Sequence, residues 1–141
     1  MASQNMLSFE REPETKNKYK NALDRISEIF DPDKSKKILV SHAKGIKFLD
    51  PEEINFIEAK GSYTIFHFKD GGSLMDSKTL KSAEMKLENK GFFRLHKSYL
   101  VNLNSISEYI NQDGHFVLLE DGSKLPVARK RLKDFLETIK R

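Results

Sequence analysis

The chain has 141 residues, 38% of them hydrophobic, and its 25 Lys and Arg against 21 Asp and Glu give a net charge of only +4. This length suits one compact domain with an appendage, and the absence of cysteine excludes disulfides, thiol nucleophiles and thiolate metal sites. No apolar run approaches the roughly 20 residues of a membrane span, and the first residues lack the apolar run that is typical of a signal peptide, so we expect a cytoplasmic protein without a membrane partner.

The N-terminal part divides into two segments. Residues 1–14 are polar and have no hydrophobic period, which predicts a disordered N-terminus. In residues 15–37 the apolar side chains recur at spacings of three and four, which predicts an amphipathic linker helix that ends before Pro32 and is followed by a basic link. The apolar residues of this helix are Tyr19, Ala22, Leu23, Ile26, Ile29 and Phe30.

From Ile38 onward the hydrophobic period changes to two, which is typical of β-strands. Three Asp-Gly pairs separate short apolar runs and are typical of hairpin turns, in which glycine adopts a positive φ. They are Asp70-Gly71, Asp113-Gly114 and Asp121-Gly122. We therefore predict short antiparallel strands over residues 38–40, 46–48, 54–57, 63–68, 73–76, 92–95, 99–101, 106–110, 115–120 and 124–127.

Two short helices interrupt this pattern. Thr79 is a suitable N-cap for a helix that we expect to reach Lys90, with Leu80, Ala83, Met85 and Leu87 partly facing inward. A second, amphipathic helix is expected from about Ala128 to the C-terminus. The sequence thus predicts one mostly β domain with short helices over residues 38–141.

The sequence contains no arrangement of catalytic groups that indicates an enzyme. The four histidines, His42, His67, His96 and His115, belong to no HExxH or HxH pattern, and glycine-rich phosphate loops are absent. His96 and Ser98 lack the oriented third group that a nucleophilic triad needs. In the predicted strands, His67 and His115 are expected to be solvent-facing or singly hydrogen-bonded rather than metal ligands. We expect no catalytic residue, no metal and no cofactor.

Basic and polar side chains gather in two places instead. The alternating segment from Gly91 to Asn102 contains Arg94, His96, Lys97 and Ser98, which a strand and a tight loop can present together. A second basic stretch, Arg129-Lys130-Arg131, lies at the start of the last helix. Lysine can pair with phosphate or donate to guanine, and serine can donate to phosphate oxygen. Composition alone supports DNA binding and a solvated basic surface equally.

The same residues carry a family resemblance. The stretches FFRLHKSYLVNLNSI and VLLEDGSKLPVARKRLKDF resemble the LytTR DNA-binding domain, the output domain of many bacterial response regulators. The upstream stretch EINFIEA, Glu53 to Ala59, resembles that family's D-I-x-[YF]-[IF]-E-A strand. The resemblance covers about residues 38–141, and its combined pattern is long and specific.

The resemblance implies an elongated fold of small antiparallel β-sheets with short helices, in which loops rather than a recognition helix enter the DNA major groove. It implies a bacterial transcriptional regulator that binds double-stranded DNA sequence-specifically. Contacts would come from three segments, Lys60–Tyr63, Arg94–Ser98 and Ala128–Arg131. The implied DNA-binding residues are Lys60, Ser62, Tyr63, Arg94, His96, Lys97, Ser98, Arg129 and Lys130. Ala128 stands where many members have serine, so this chain has no hydroxyl there to contact DNA or cap the helix.

Some of these residues also have a structural interpretation. For Arg94 in particular, an internal salt bridge or stacking interaction is a strong alternative to a DNA contact. His96 could orient the loop or touch phosphate. Asn102 is expected to satisfy backbone groups of the following turn. Lys97 and Lys130 are the strongest candidates for DNA contacts.

Other functions and partners stay open at this point. A β-rich protein-interaction module whose basic edge meets an acidic partner is the alternative, and a single-strand nucleic-acid binder ranks last because most aromatic residues are expected to lie inward. The first 37 residues cannot hold a receiver domain, so the chain is expected to be either a fragment of a receiver-containing regulator or a stand-alone member. A homodimer on repeated DNA sites is a further expectation.

Overall fold

The computed structural model describes residues 37–140, so the predicted disordered N-terminus (1–14) and the predicted linker helix and basic link (15–37), apart from residue 37, lie outside these residues. Within the described range, no helix is long and apolar enough to cross a membrane. The fold is mostly β, as predicted. Its strands are β1 (Ile38–His42), β2 (Gly45–Leu49), β3 (Ile54–Lys60), β4 (Tyr63–Phe68), β5 (Ser73–Asp76), β6 (Phe92–His96), β7 (Tyr99–Asn102), β8 (Ile106–Asn111), β9 (His115–Leu119) and β10 (Lys124–Pro126). Its helices are α1 (Leu80–Lys86), α2 (Arg129–Ile139) and two 3-10 turns, Pro51–Glu53 and Leu103–Ser105.

Strands β1 and β2 form a separate antiparallel hairpin within the first compact unit of the chain, which ends at Pro51. Ile38 pairs with Leu49, and both are buried, as is Val40. Side chains alternate between the two faces of a strand, so Phe48 points the other way and is 44% exposed.

The second unit, from Glu52 onward, contains two antiparallel sheets. The larger sheet has the strand order β5-β4-β3-β7-β6, and the smaller one has the order β10-β9-β8. Strands β3 and β4 are joined by a tight turn in which Gly61 has a φ of 62°. A side chain at this position would be strained, so the glycine permits the turn.

The main core of this unit is formed by apolar side chains from both sheets and from α2. Its buried members are Phe56, Leu95, Val101, Val117, Leu119, Leu125, Val127 and Phe135. The amphipathic pattern of the last helix places Phe135 in the core, where its ring lies 5.6 Å from that of Phe93. Helix α1 packs against β3, β6 and β7. Its residues Leu80 and Ala83 are buried, as is Leu87 at its C-cap.

Helix α1 is shorter than the sequence indicated. Thr79 caps it as predicted, since its hydroxyl accepts a hydrogen bond from the Ser82 N–H at 3.1 Å. The helix ends at Lys86 rather than at Lys90, because the backbone leaves the helical region at the C-cap Leu87, with φ −100° and ψ 12°. Further along, Asn89 has a left-handed φ of 64°, which helical residues do not adopt, so the helix cannot reach Lys90. Met85, expected to face partly inward, is 67% exposed.

Asn102 ties β7 to the beginning of β3, which confirms its predicted role with backbone groups. Its side chain donates to the Ile54 carbonyl at 2.9 Å and accepts from the Asn104 N–H at 3.0 Å, and the residue is 3% exposed.

We expect Asn102→Ala to lower the free energy of unfolding by about 1–3 kcal/mol, because buried backbone groups would be left without their partner. Urea denaturation measures this, with the exposed Asn104→Ala as the control. Equal stability of the two variants would contradict the assignment.

Candidate nucleic-acid interface

Two turns of the larger sheet lie side by side at one of its ends. The β3–β4 turn is closed by the pair Lys60 and Tyr63, and the β6–β7 turn is closed by His96 and Tyr99. Strands β3 and β7 are neighbours, and the Ala59 N–H donates to the Ser98 carbonyl at 2.9 Å. The two segments predicted to bind DNA are therefore joined directly, although they are more than 30 residues apart in the sequence.

The start of α2 joins the same end of the sheet. The Ala128 N–H donates to the Leu95 carbonyl at 2.9 Å, directly beside the β6–β7 turn. Three segments thus meet, and we name them together the loop edge: Lys60–Tyr63, Arg94–Ser98 and Ala128–Arg131. All nine residues selected from the sequence lie on it: Lys60, Ser62, Tyr63, Arg94, His96, Lys97, Ser98, Arg129 and Lys130.

Most of the loop edge is open to solvent, and its exposed side chains are largely basic. The exposed residues among the nine are Lys60, Ser62, Tyr63, Lys97, Arg129 and Lys130. The aromatic ring of Tyr63 also projects outward, with 51% of the residue exposed. The four cationic side chains can pair with phosphates, and together with the hydroxyls of Ser62 and Tyr63 they can donate hydrogen bonds to acceptors on base edges.

Arg94 links the β6–β7 turn of the loop edge to helix α1. Its guanidinium donates to the carbonyls of His96 at 2.9 Å and Lys97 at 2.6 Å, and it pairs with Glu84 of α1 at 2.9 Å. The side chain is only 16% exposed. The internal role considered for Arg94 is therefore present, and its donors are directed at the backbone of the turn that carries Lys97.

Glu84 was not identified from the sequence. It lies ten residues before Arg94 and on a different element, and no spacing rule connects a helix residue to a strand residue at that distance. Its role becomes visible only when α1 packs on the sheet.

The imidazole of His96 is fixed in one orientation by the turn. Its Nδ1 accepts a hydrogen bond from the Ser98 N–H at 3.1 Å, so in the neutral ring the proton lies on Nε2. Burial lowers the pKa of His96, and the positive charges of Lys97 and Arg94 lower it further. The lowered pKa favours the neutral imidazole at pH 7, which can serve as an N–H donor through Nε2.

Helix α2 begins at Ala128, whose backbone is extended with φ −66° and ψ 143°. The methyl group of Ala128 cannot accept a hydrogen bond from the first turn, as expected where alanine replaces the serine that many family members have.

We expect Ala128→Ser to raise the free energy of unfolding by about 1 kcal/mol, since serine is a good N-cap. Urea denaturation measures this, and Ala128→Val, which adds bulk without an acceptor, should not stabilise. A destabilising serine would contradict this account of the helix start.

The two strand histidines have local hydrogen-bond partners, as the sequence indicated. His67 contacts the Glu58 carboxylate at 2.9 Å and stacks on Phe56 at 4.3 Å between ring centroids. His115 contacts the Tyr109 hydroxyl at 2.7 Å. Both contacts stabilise the sheets rather than form part of the loop edge.

The family model for the LytTr DNA-binding domain matches residues 44–140. The sensory transduction protein LytT of Oceanobacillus iheyensis is 27% identical in an alignment of 136 residues that covers 90% of this chain and 55% of that protein. The LytT protein of Enterococcus faecalis is 30% identical over 75% of this chain and 44% of its own length. The chain spans about half the length of these curated relatives.

A solved structure supports the same assignment at the level of the fold. A LytTr DNA-binding domain from Bacillus cereus superimposes with a TM-score of 0.64 at 19% sequence identity, over 74% of this chain and 97% of that one. The family match covers more than half of the chain and includes all three segments of the sequence resemblance. The chain therefore belongs to the LytTR family of DNA-binding domains.

Proposed function

We propose that this chain is the output domain of a bacterial transcriptional regulator and binds double-stranded DNA sequence-specifically, with the loop edge in the major groove. The observation that carries the proposal is the convergence of three basic segments through two backbone hydrogen bonds, Ala59 to Ser98 and Ala128 to Leu95. No catalytic step is part of this function.

The dimensions of the loop edge suit a groove. Neighbouring strands lie about 4.8 Å apart, so a single hairpin turn is narrower than the major groove, which is about 12 Å wide and admits a two-stranded ribbon. The β6–β7 turn carries Lys97 at its tip, and the first turn of α2 carries Arg129 and Lys130 beside it. This arrangement lets two separate segments enter adjacent parts of one groove.

The proposed roles of these residues are of two kinds, contact with DNA and support of the turn. Lys97 and Lys130 are the proposed contacts to base edges, with Arg129, Lys60 and the Tyr63 hydroxyl contacting bases or phosphates beside them. Neutral His96 would donate from Nε2 to a phosphate oxygen, while its Nδ1 keeps the bond to Ser98. Arg94 supports the turn rather than contacting DNA, because its guanidinium is already directed at carbonyls and a carboxylate.

Two further partners are proposed, a receiver domain and a second copy of this chain. Because the chain spans about half their length, we propose that it acts within a longer regulator in which a receiver domain supplies the signal. Two copies would bind repeated DNA sites. Sedimentation of the protein with duplexes carrying one or two copies of the selected site tests the second point, and a 1:1 complex on both duplexes would refute it.

A titration against duplex DNA tests the proposed function. Affinities are measured at several salt concentrations for the preferred duplex, a scrambled duplex and a duplex with 7-deazaguanine, which lacks the major-groove N7 acceptor. We expect affinity to fall with salt for all three and the preferred duplex to bind best, with the 7-deaza duplex weakened. Equal affinity for all duplexes would refute sequence reading. Salt-insensitive or absent DNA binding would favour the alternative, a protein-interaction module.

A further inference from the structure

A fourth basic segment lies next to the loop edge. The connection from β5 to α1, Asp76–Lys81, was not among the segments selected from the sequence. Thr64 pairs with Asp76 across β4 and β5, and Thr64 directly follows Tyr63 of the β3–β4 turn. The end of β5 therefore lies at the same end of the sheet as the loop edge.

The main chain of Lys78 is held by two buried side chains. The Thr64 hydroxyl donates to the Lys78 carbonyl at 2.5 Å, and the Asp76 carboxylate accepts from the Lys78 N–H at 3.2 Å. Thr64 is 1% exposed and Asp76 is 5% exposed. Burying polar groups is unfavourable unless they are hydrogen-bonded, so this turn has one well-defined conformation.

The residues that this turn presents to solvent are basic. Lys78 is exposed, and so is Lys81 in the first turn of α1. Thr79 fixes the start of that helix through its bond to the Ser82 N–H. The two lysines are thus carried by ordered backbone rather than by a long loop.

The strand order places this segment beyond the β3–β4 turn, on the side away from Lys97. The order β5-β4-β3-β7-β6 comprises four gaps of about 4.8 Å, or roughly 19 Å in all. Since base pairs are stacked about 3.4 Å apart, such a row corresponds to about five or six base pairs. With this row laid along the duplex, a cation at the β5 end would meet backbone outside the base pairs that Lys97 and Lys130 are proposed to read.

We propose that Lys78 and Lys81 form a fourth DNA-contacting segment that binds backbone phosphates flanking the base pairs read by the loop edge. This rests on the proposed function. A lysine ammonium is a compact charge on a flexible stem, which suits phosphate better than the bidentate reading of a base. The segment would thus add affinity and salt dependence and leave sequence preference unchanged.

The test compares two double variants of equal charge. Lys78→Ala/Lys81→Ala removes the fourth segment, and Lys69→Ala/Lys90→Ala removes two lysines near the opposite end of the same sheet, where β4 ends and β6 begins. Each is titrated with the duplex enriched by the wild-type protein and with a scrambled duplex, at salt concentrations from about 50 to about 200 mM. Thermal melting establishes that both variants are folded.

We expect the Lys78/Lys81 variant to reduce the slope of log affinity against log salt by about 1.8, or about 0.9 for each phosphate that is no longer neutralised. Affinity should fall about tenfold for both duplexes, leaving their ratio unchanged. The control variant should keep the wild-type slope.

A wild-type slope in the Lys78/Lys81 variant, or an equal reduction in the control, would overturn the fourth segment while leaving the proposed function standing. A changed ratio between the duplexes would overturn the phosphate assignment. Wild-type protein that prefers no duplex would overturn the proposed function and this inference together.

Discussion

Replacing Lys97 or Lys130 with alanine is expected to weaken binding to the preferred duplex by about 5- to 150-fold, which corresponds to about 1–3 kcal/mol for a base contact. Both lysines are exposed on the loop edge, on two segments that the Ala128 to Leu95 hydrogen bond holds together. A lysine that donates to guanine discriminates between bases as well as attracting phosphate. The reduction in affinity should therefore be greatest for the preferred duplex.

Competition binding with single-base variants of the preferred duplex measures this effect. Each lysine variant should lose its preference at one position of the site and keep it elsewhere. Lys133→Ala is the matched control, because Lys133 is also exposed on α2 but lies beyond its first turn. A uniform reduction on every sequence would show that the two lysines contact only phosphate, contrary to the proposed reading role.

Arg94→Lys is expected to weaken DNA binding by about tenfold although it preserves the charge, because the loop that carries Lys97 loses its scaffold. An ammonium cannot reproduce the planar set of donors that reaches two carbonyls and Glu84 together. Hydrogen bonds to charged groups contribute about 1.5–3 kcal/mol, so the free energy of unfolding should fall by a similar amount.

Two readouts separate positioning from direct contact. Amide hydrogen exchange at Ser98 should accelerate in Arg94→Lys, since the turn loosens. The slope of log affinity against log salt concentration should stay close to that of the wild type. Glu84→Gln, which keeps an acceptor but lies on α1 outside the loop edge, should show the same pattern more weakly. A slope reduced by about one in Arg94→Lys, with unchanged amide exchange, would instead identify Arg94 as a phosphate contact.

The sequence predicted the strands well because their signals are local. A two-residue period and Asp-Gly turns depend only on neighbouring residues. The hairpins at Asp70, Asp113 and Asp121 lie at the predicted Asp-Gly pairs. The end of α1 was missed because the amino-acid pattern does not distinguish the non-helical conformations of Leu87 and Asn89 from helical ones. Element boundaries depend on such single conformations.

The candidate site was predictable only as separate stretches. The family motif selected residues near 60, 97 and 130, but strand pairing and two backbone hydrogen bonds bring them together. The Arg94–Glu84 pair and the turn that presents Lys78 arise from packing between distant elements. Nothing in the spacing of these residues indicates their contacts.

Selection of bound fragments from random duplex DNA tests the central claim most directly. The wild-type protein should enrich one short motif with guanines at the positions that Lys97 and Lys130 read, since lysine donates to guanine O6 and N7. The Lys97→Ala/Lys130→Ala variant, selected in parallel, should lose that motif while still binding duplex DNA at low salt. Enrichment of no motif by the wild-type protein, or of the same motif by both proteins, would contradict sequence reading through the loop edge.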